Sequence, residues 1–227
     1  MDLLHATVPP ALAALGWALL APCVALALAA VRREFLRGSA AQHAWFAGVV
    51  AIALLWSVQV RIGDGAAFGM LGVALFVLMF GAARGLLGLL AALALHGLLS
   101  DAPWSSFGAR GLLFALLPAV LAFTLQGALA RLLPRNLFVF IIGNGLFVTL
   151  ATTAATSVAA LLAALALAEA ASGANLGQYL AYALLLAWGE ALASGMLFSA
   201  LVIFAPQIVL TYRQDLYLPL RGSRGCG

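Results

Sequence analysis

The chain has 227 residues, of which 66% are hydrophobic and only 8% charged, with a formal net charge of +4 and a mean hydropathy of +1.14. A soluble domain carries roughly 25% charged residues, so this composition excludes an ordinary water-soluble fold and makes lipid the solvent. The cationic residues are eleven arginines and no lysine. They lie in short gaps between apolar runs, which points to membrane topology and not to nucleic acid.

Apolar runs predict helices over roughly 9–31, 44–60, 66–83, 85–100, 111–130, 137–170 and 179–205. A span needs about 20 residues. The expected fold is therefore an all-α, polytopic transmembrane bundle of about seven spans, with six as the alternative count. It forms one integral membrane domain over 1–227, with a short cytoplasmic tail at 206–227. The runs are continuous, unlike the short alternating segments of an outer-membrane barrel. Only Arg84 divides the third run from the fourth. With seven crossings and the N-terminus outside, Arg32, Arg33, Arg37, Arg84, Arg131, Arg135, Arg213, Arg221 and Arg224 fall inside. Arg61 and Arg110 fall outside. Nine against two follows the positive-inside rule and places the C-terminus in the cytoplasm. The first run follows Asp2 and precedes its arginines, the reverse of a cleavable signal. Cys23 and Cys226 are too separated for an expected disulfide or zinc site.

Within the first span Ala21, Ala25 and Ala29 share one face, as do Ala14 and Ala18, a spacing that permits close helix approach. Glu190, in LLLAWGEALASGMLF, sits near the middle of the last span. A carboxylate at that depth costs a few kcal/mol or more, so it should face the bundle interior and find a partner or a proton. It is either a functional site or a packing hydrogen bond. Asn144, in IIGNGLF, needs partners for the same reason and reads chiefly as structural glue. Gly143 and Gly145 beside it suit close packing or a local break. Thr149, Thr152, Thr153, Thr156 and Ser157 continue that helix, and their hydroxyls are expected to bond back to its carbonyls. His43 falls in a solvated gap. His5 and His96 fall near one membrane face, where they and Asp2 are candidates for a small metal site. No Walker A, CxxC or HExxH pattern occurs. A transported substrate or protein partner is therefore expected in place of a chemical reaction; an intramembrane enzyme using Glu190 lacks a second nameable catalytic group. No nucleic acid partner and no covalently bound cofactor are expected.

Three stretches carry a family resemblance: VPPALAALGWALLAP, ARLLPRNLFVFIIGNGLF and WGEALASGMLFSALVIFAPQIVLTYRQDLYL. They resemble the membrane permeases of cobalt/nickel energy-coupling-factor transporters, in a short bacterial branch, and Glu190 matches the glutamate of that family's Gly-Glu-Gly/Ala segment. The resemblance implies a substrate-binding subunit in the bacterial inner membrane that captures Co²⁺ or Ni²⁺ from the outer face. It implies work with a transmembrane coupling protein and two cytoplasmic ATPases. It also implies that the N-terminal amine, the next backbone nitrogen and a histidine at position two wrap the metal, helped by a second histidine. Here position two is Asp2, and the segment expected to supply the second histidine reads Ala67-Phe68-Gly69-Met70-Leu71-Gly72. A relative that binds no metal, acting in assembly or regulation or carrying another small solute, is the alternative.

Overall fold

The computed structural model describes residues 8–31, 39–58, 60–62, 66–68, 72–134, 136–167 and 176–212. Helix α1 spans Pro10–Val31 and α2 spans Ser39–Ser57. A two-stranded antiparallel hairpin follows, β1 (Val60–Ile62) and β2 (Ala66–Phe68), with Arg61 opposite Ala67. Next come α3 (Val73–Phe80), α4 (Ala82–Leu99) and α5, a continuous helix over Trp104–Leu132. Helix α6 runs over 137–167, and α7 spans Leu176–Phe204 before a 3₁₀ turn at Pro206–Ile208.

Among the described residues six helices are long and apolar enough to cross a membrane: α1, α2, α4, α5, α6 and α7. This is the lower of the two expected counts. The run at 66–83, expected to be a seventh, holds a strand and the eight-residue α3. Eight residues make about 12 Å of helix, against a hydrocarbon core of about 30 Å.

The chain nevertheless traverses the bundle between α2 and α4. Near the starts of these helices Trp45 Nε1 donates to the Arg84 carbonyl (3.1 Å), and near their ends Ser57 Oγ meets His96 Nδ1 (3.3 Å). Both pairs are 39 residues apart, so α2 and α4 run parallel and 58–81 must return from the His96 end to the Arg84 end. Helix α3 makes that return. Its start at Gly72 lies against Ile52 and Leu55, and Phe76 lies lower, against Gly48. Gly72 and Gly81 bracket it with φ of 65° and 80°, backbone that glycine adopts without strain. Val8 N donates to Ser106 Oγ at the start of α5 (3.1 Å), and Leu210 N donates to Met79 O at the end of α3 (2.7 Å). The two extremities of the described chain are thus at opposite ends of the bundle.

Two helices contain π-turns. In α5 the turn over Leu112–Leu116 precedes Pro118, which has no N–H to give to the carbonyl four residues back. In α6 the turn over Gly143–Val148 begins with Gly143, Asn144 and Gly145, all weak helix formers.

The core gathers Trp45, Trp56, Phe76, Phe80, Phe114, Phe140 and Phe198 between the helices. Leu12, Trp17, Leu26, Phe123, Phe147, Leu185 and Met196 point outward, as lipid-facing side chains should. In α1 the buried face is Ala13, Gly16, Leu20, Ala27 and Val31. Ala14, Ala18, Ala21, Ala25 and Ala29, whose spacing permits close approach, are all exposed. The contact is set by glycine: a Cβ at Gly16 would lie 2.5 Å from Ala109 N, and one at Gly108 2.6 Å from Trp17 N. The backbones of α1 and α5 therefore cross in contact.

We expect Gly16→Val to lower stability by about 1–3 kcal/mol through overpacking. Gly127→Ala, at a position with nothing within 4 Å, should be neutral or raise stability by about 0.5–1 kcal/mol. Thermal unfolding in detergent compares the two, and an equal response would contradict the crossing described.

Candidate functional site

Helix α3 begins and ends inside protein, so its terminal N–H and C=O groups need partners from elsewhere. At its start Gly72 N donates to Glu190 Oε1 (2.8 Å), and the Thr153 hydroxyl donates to the same oxygen (3.2 Å). Glu190 is wholly buried. One carboxyl oxygen from α7 thereby joins α3 and α6. It also sits where the partial positive charge of the α3 dipole is concentrated. At the other end Leu210 N caps Met79 O, and the Thr211 hydroxyl caps Leu78 O. The residues after α7 thus close the helix that Glu190 opens.

The expectation that Glu190 faces the bundle interior and finds a partner matches this geometry. Thr149 bonds back to its own helix, at Asn144 O, but the Thr153 hydroxyl bonds Glu190, and the buried Thr152 and Thr156 hydroxyls have no hydrogen-bond partner among the described residues. Asn144 lies in the α6 π-turn with Nδ2 on Phe140 O (2.9 Å), and its backbone carbonyl accepts from Thr149 Oγ1 (3.4 Å). Gly145 beside it packs on α7, where a Cβ would come 3.1 Å from Gly195 Cα. Asn144 therefore bonds within its own helix, and the glycine makes the close approach.

His96 is buried in the last turn of α4, its ring edge-on to Trp56. The Ser57 hydroxyl donates to Ala53 O (3.0 Å). With that hydrogen committed, the Ser57 oxygen is the acceptor for a hydrogen on Nδ1. Imidazole nitrogen is a common metal ligand. Val8, held on Ser106, sits at the same end of the bundle as His96. Asp2 and His5 lie outside the described residues, among which no three His, Cys, Asp or Glu side chains cluster to hold a metal. His43 is exposed but lies near the start of α2 and not in the gap before it. At the same end Trp17, Phe107 and Trp104 form a stacked series with centroids 5.5 and 5.7 Å apart. Arg110 is buried, its Nη2 donating to Pro103 O (2.5 Å).

Sequence reasoning missed Gly72 and Ser57 as polar partners. The visible signal was the glycine pair Gly72 and Gly81 around an eight-residue apolar stretch.

Residues 3–208 match the family of cobalt uptake substrate-specific transmembrane regions. The chain belongs to this family. Two solved structures share its fold. One, a transition metal transporter, has a TM-score of 0.65 at 19% identity, covering 86% of this chain and 89% of its own. The other, a truncated transition metal transporter, has a TM-score of 0.61 at 18% identity, covering 86% and 95%. No curated protein matches the chain. Membership in the cobalt uptake family, with six membrane-length helices, makes this a multi-pass membrane component of metal uptake. In a bacterium its place is the inner membrane.

The Glu190 geometry distinguishes two substitutions. Glu190→Gln keeps an acceptor for Gly72 N–H and the Thr153 hydroxyl, so we expect a loss of about 1 kcal/mol or less. Glu190→Ala leaves both donors buried without an acceptor, at about 1–3 kcal/mol each. Unfolding midpoints of the purified proteins decide it: equal losses would remove the capping role.

Proposed function

We propose that this chain is the substrate-binding permease subunit of an energy-coupling-factor type transporter, with Co²⁺ or Ni²⁺ as its cargo and the His96 end facing outside. The family description is the observation that carries the reading. The arginine count supports the orientation: by sequence nine, Arg84 and Arg131 among them, fall on the side expected inside, and two, Arg61 and Arg110, on the side expected outside, as the positive-inside rule requires. On this reading the transmembrane coupling protein and the cytoplasmic ATPases work from the Arg84 end.

Capture is proposed at the His96 end. Asp2 stands six residues before Val8 and His5 three, and six extended residues reach about 20 Å. Val8 is tethered to Ser106 at that same end, so the start of the chain has the length to bring Asp2 and His5 toward His96. Imidazole nitrogen suits cobalt and nickel, and the Asp2 carboxylate adds a harder oxygen donor. Glu190 serves the fold in this account, since its Oε1 takes hydrogen bonds from two other elements.

One observation favours a second reading. Position two is Asp2 where the family resemblance implies histidine, and 67–72 holds no imidazole. A relative with the fold but without the metal, acting in assembly or regulation or carrying another small solute, would have this sequence.

Calorimetric titration of the detergent-solubilised protein, its native start intact, separates the readings. Capture predicts Ni²⁺ or Co²⁺ binding tighter than about 1 µM, or about −8 kcal/mol. His96→Gln and His5→Ala should each weaken it by about tenfold or more, a loss of about 1.4 kcal/mol, and His5→Ala should leave the unfolding midpoint unchanged. Absence of binding to both ions would leave the second reading. Mild extraction that recovers no ATPase would count against the coupling partners alone.

A further inference from the structure

At the His96 end a groove of about 450 Å³ lies between α1 and α6, over α5, which packs against both. Leu12 and Leu15 line it from α1, Leu113 and Leu117 from α5, and Ala163 and Ala166 from α6. Leu12, Leu15 and Ala166 are exposed, and Leu113, Leu117 and Ala163 are half-buried, so the groove opens sideways, toward lipid. Its cause is the crossing described above. Gly16 and Ala109 lie in it where the α1 and α5 backbones touch, and α6 meets it with alanines. A small residue on each of the three helices leaves the space open. Among the described residues Arg110 is the single charged one on the lining, and its Nη2 donates to Pro103 O just before α5.

We infer that this groove holds one acyl chain of a membrane phospholipid as a resident part of the structure. The inference needs only the membrane setting, and neither the cargo nor the orientation proposed above. Water is a poor occupant, because a cavity stays dry unless each molecule finds two or more polar partners. Left empty, the lining would forfeit its dispersion contacts, and these are the main attraction between surfaces in lipid. A helix from another protein is too wide. The groove follows α5 from Ala109 to Leu117, eight residues or roughly 12 Å, and a helix of that length with its side chains takes roughly 1,100 Å³. A single hydrocarbon chain fits. A methylene needs about as much room as a water, about 30 Å³, so the 450 Å³ groove takes roughly 15 carbons. Such a chain touches three helices at once, which sets it apart from lipid that merely surrounds the bundle. Val8 lines the same groove, so the chain also packs beside the residue where the described structure begins.

The test uses the full chain extracted in mild detergent and washed until surrounding lipid is lost. Native mass spectrometry should find one phospholipid retained per wild-type protein. Ala166→Phe and Ala163→Phe, made singly, place a ring in the groove and should lower the retained fraction about tenfold or more. Ala166 is exposed, so its variant fills the groove without overpacking the core. Leu185→Phe, on the lipid face of α7, should retain lipid like the wild type. Fully delipidated protein is then titrated with phosphatidylethanolamines whose chains run from about 6 to about 18 carbons. The rise in the wild-type unfolding midpoint should grow with chain length and level off near roughly 15 carbons, and Ala166→Phe should show little rise at any length. No retained phospholipid, equal retention in wild type and Ala166→Phe, or the same loss in Leu185→Phe overturns the inference. A lipid-free wild type that forms a dimer broken by Ala166→Phe would put a second copy in the groove and overturn it too. Calorimetry with Ni²⁺ and Co²⁺ reads the capture site separately, so either result can fail without the other.

Discussion

A helix end inside a bilayer has no water to satisfy it, and this fold depends on how it answers that constraint at α3. Six helices run the thickness of the bundle and leave their ends near its surfaces. The third crossing does not. Its eight residues start and stop within the protein, with Glu190 at one end and the segment after α7 at the other. Because α2 and α4 run parallel, the chain cannot do without this crossing. The carboxyl that seemed costly from sequence is therefore the acceptor that permits a broken helix. The same oxygen draws α6 in through Thr153.

Packing elsewhere follows from small residues placed where backbones meet. Gly16 and Gly108 bring α1 onto α5, and Gly145 and Gly195 bring α6 onto α7. Large apolar side chains divide between the aromatic interior and the lipid-facing surface. Apolar side chains are at home in either place, so burial of leucine discriminates little between them. Close approach of backbones does, because van der Waals contact is the main attraction between helices in lipid.

Much of the fold was legible in the sequence for that reason. The helices near 9–31, 85–100 and 179–205 appear where the apolar runs put them, and the gaps at 32–38 and 133–136 are the ones that hold arginines expected inside. The short third helix was not legible, because Val73–Phe80 is as apolar as any span. What limits it is the position of Glu190 and Leu210, 118 and 131 residues away in the chain from Gly72 and Met79 respectively. The docking face of α1 was not legible, because alanine recurs at nearly every spacing. The true face is chosen by Gly108, which no periodicity within α1 reveals. At the site, burial cost alone identified Glu190 and Asn144. Their partners were hidden: a backbone N–H at Gly72 has no sequence signature, and Thr153 resembles its neighbours in every local respect. Asp2 and His5 lie outside the described residues, so the metal cluster they were expected to form with His96 stays a proposal.

The two closures of α3 have a consequence for biogenesis. Glu190 and the Leu210–Thr211 segment are among the last parts of the described chain to be synthesised. While α1, α2 and α4 enter the membrane, the third crossing has neither of its caps. It must wait as a provisional element, held by its glycines and by whatever shields its open ends, until the final helix arrives. A protein that halts before Glu190 is therefore more than a bundle with one helix missing. It has an unfinished interior, of the kind that membrane quality control is built to find.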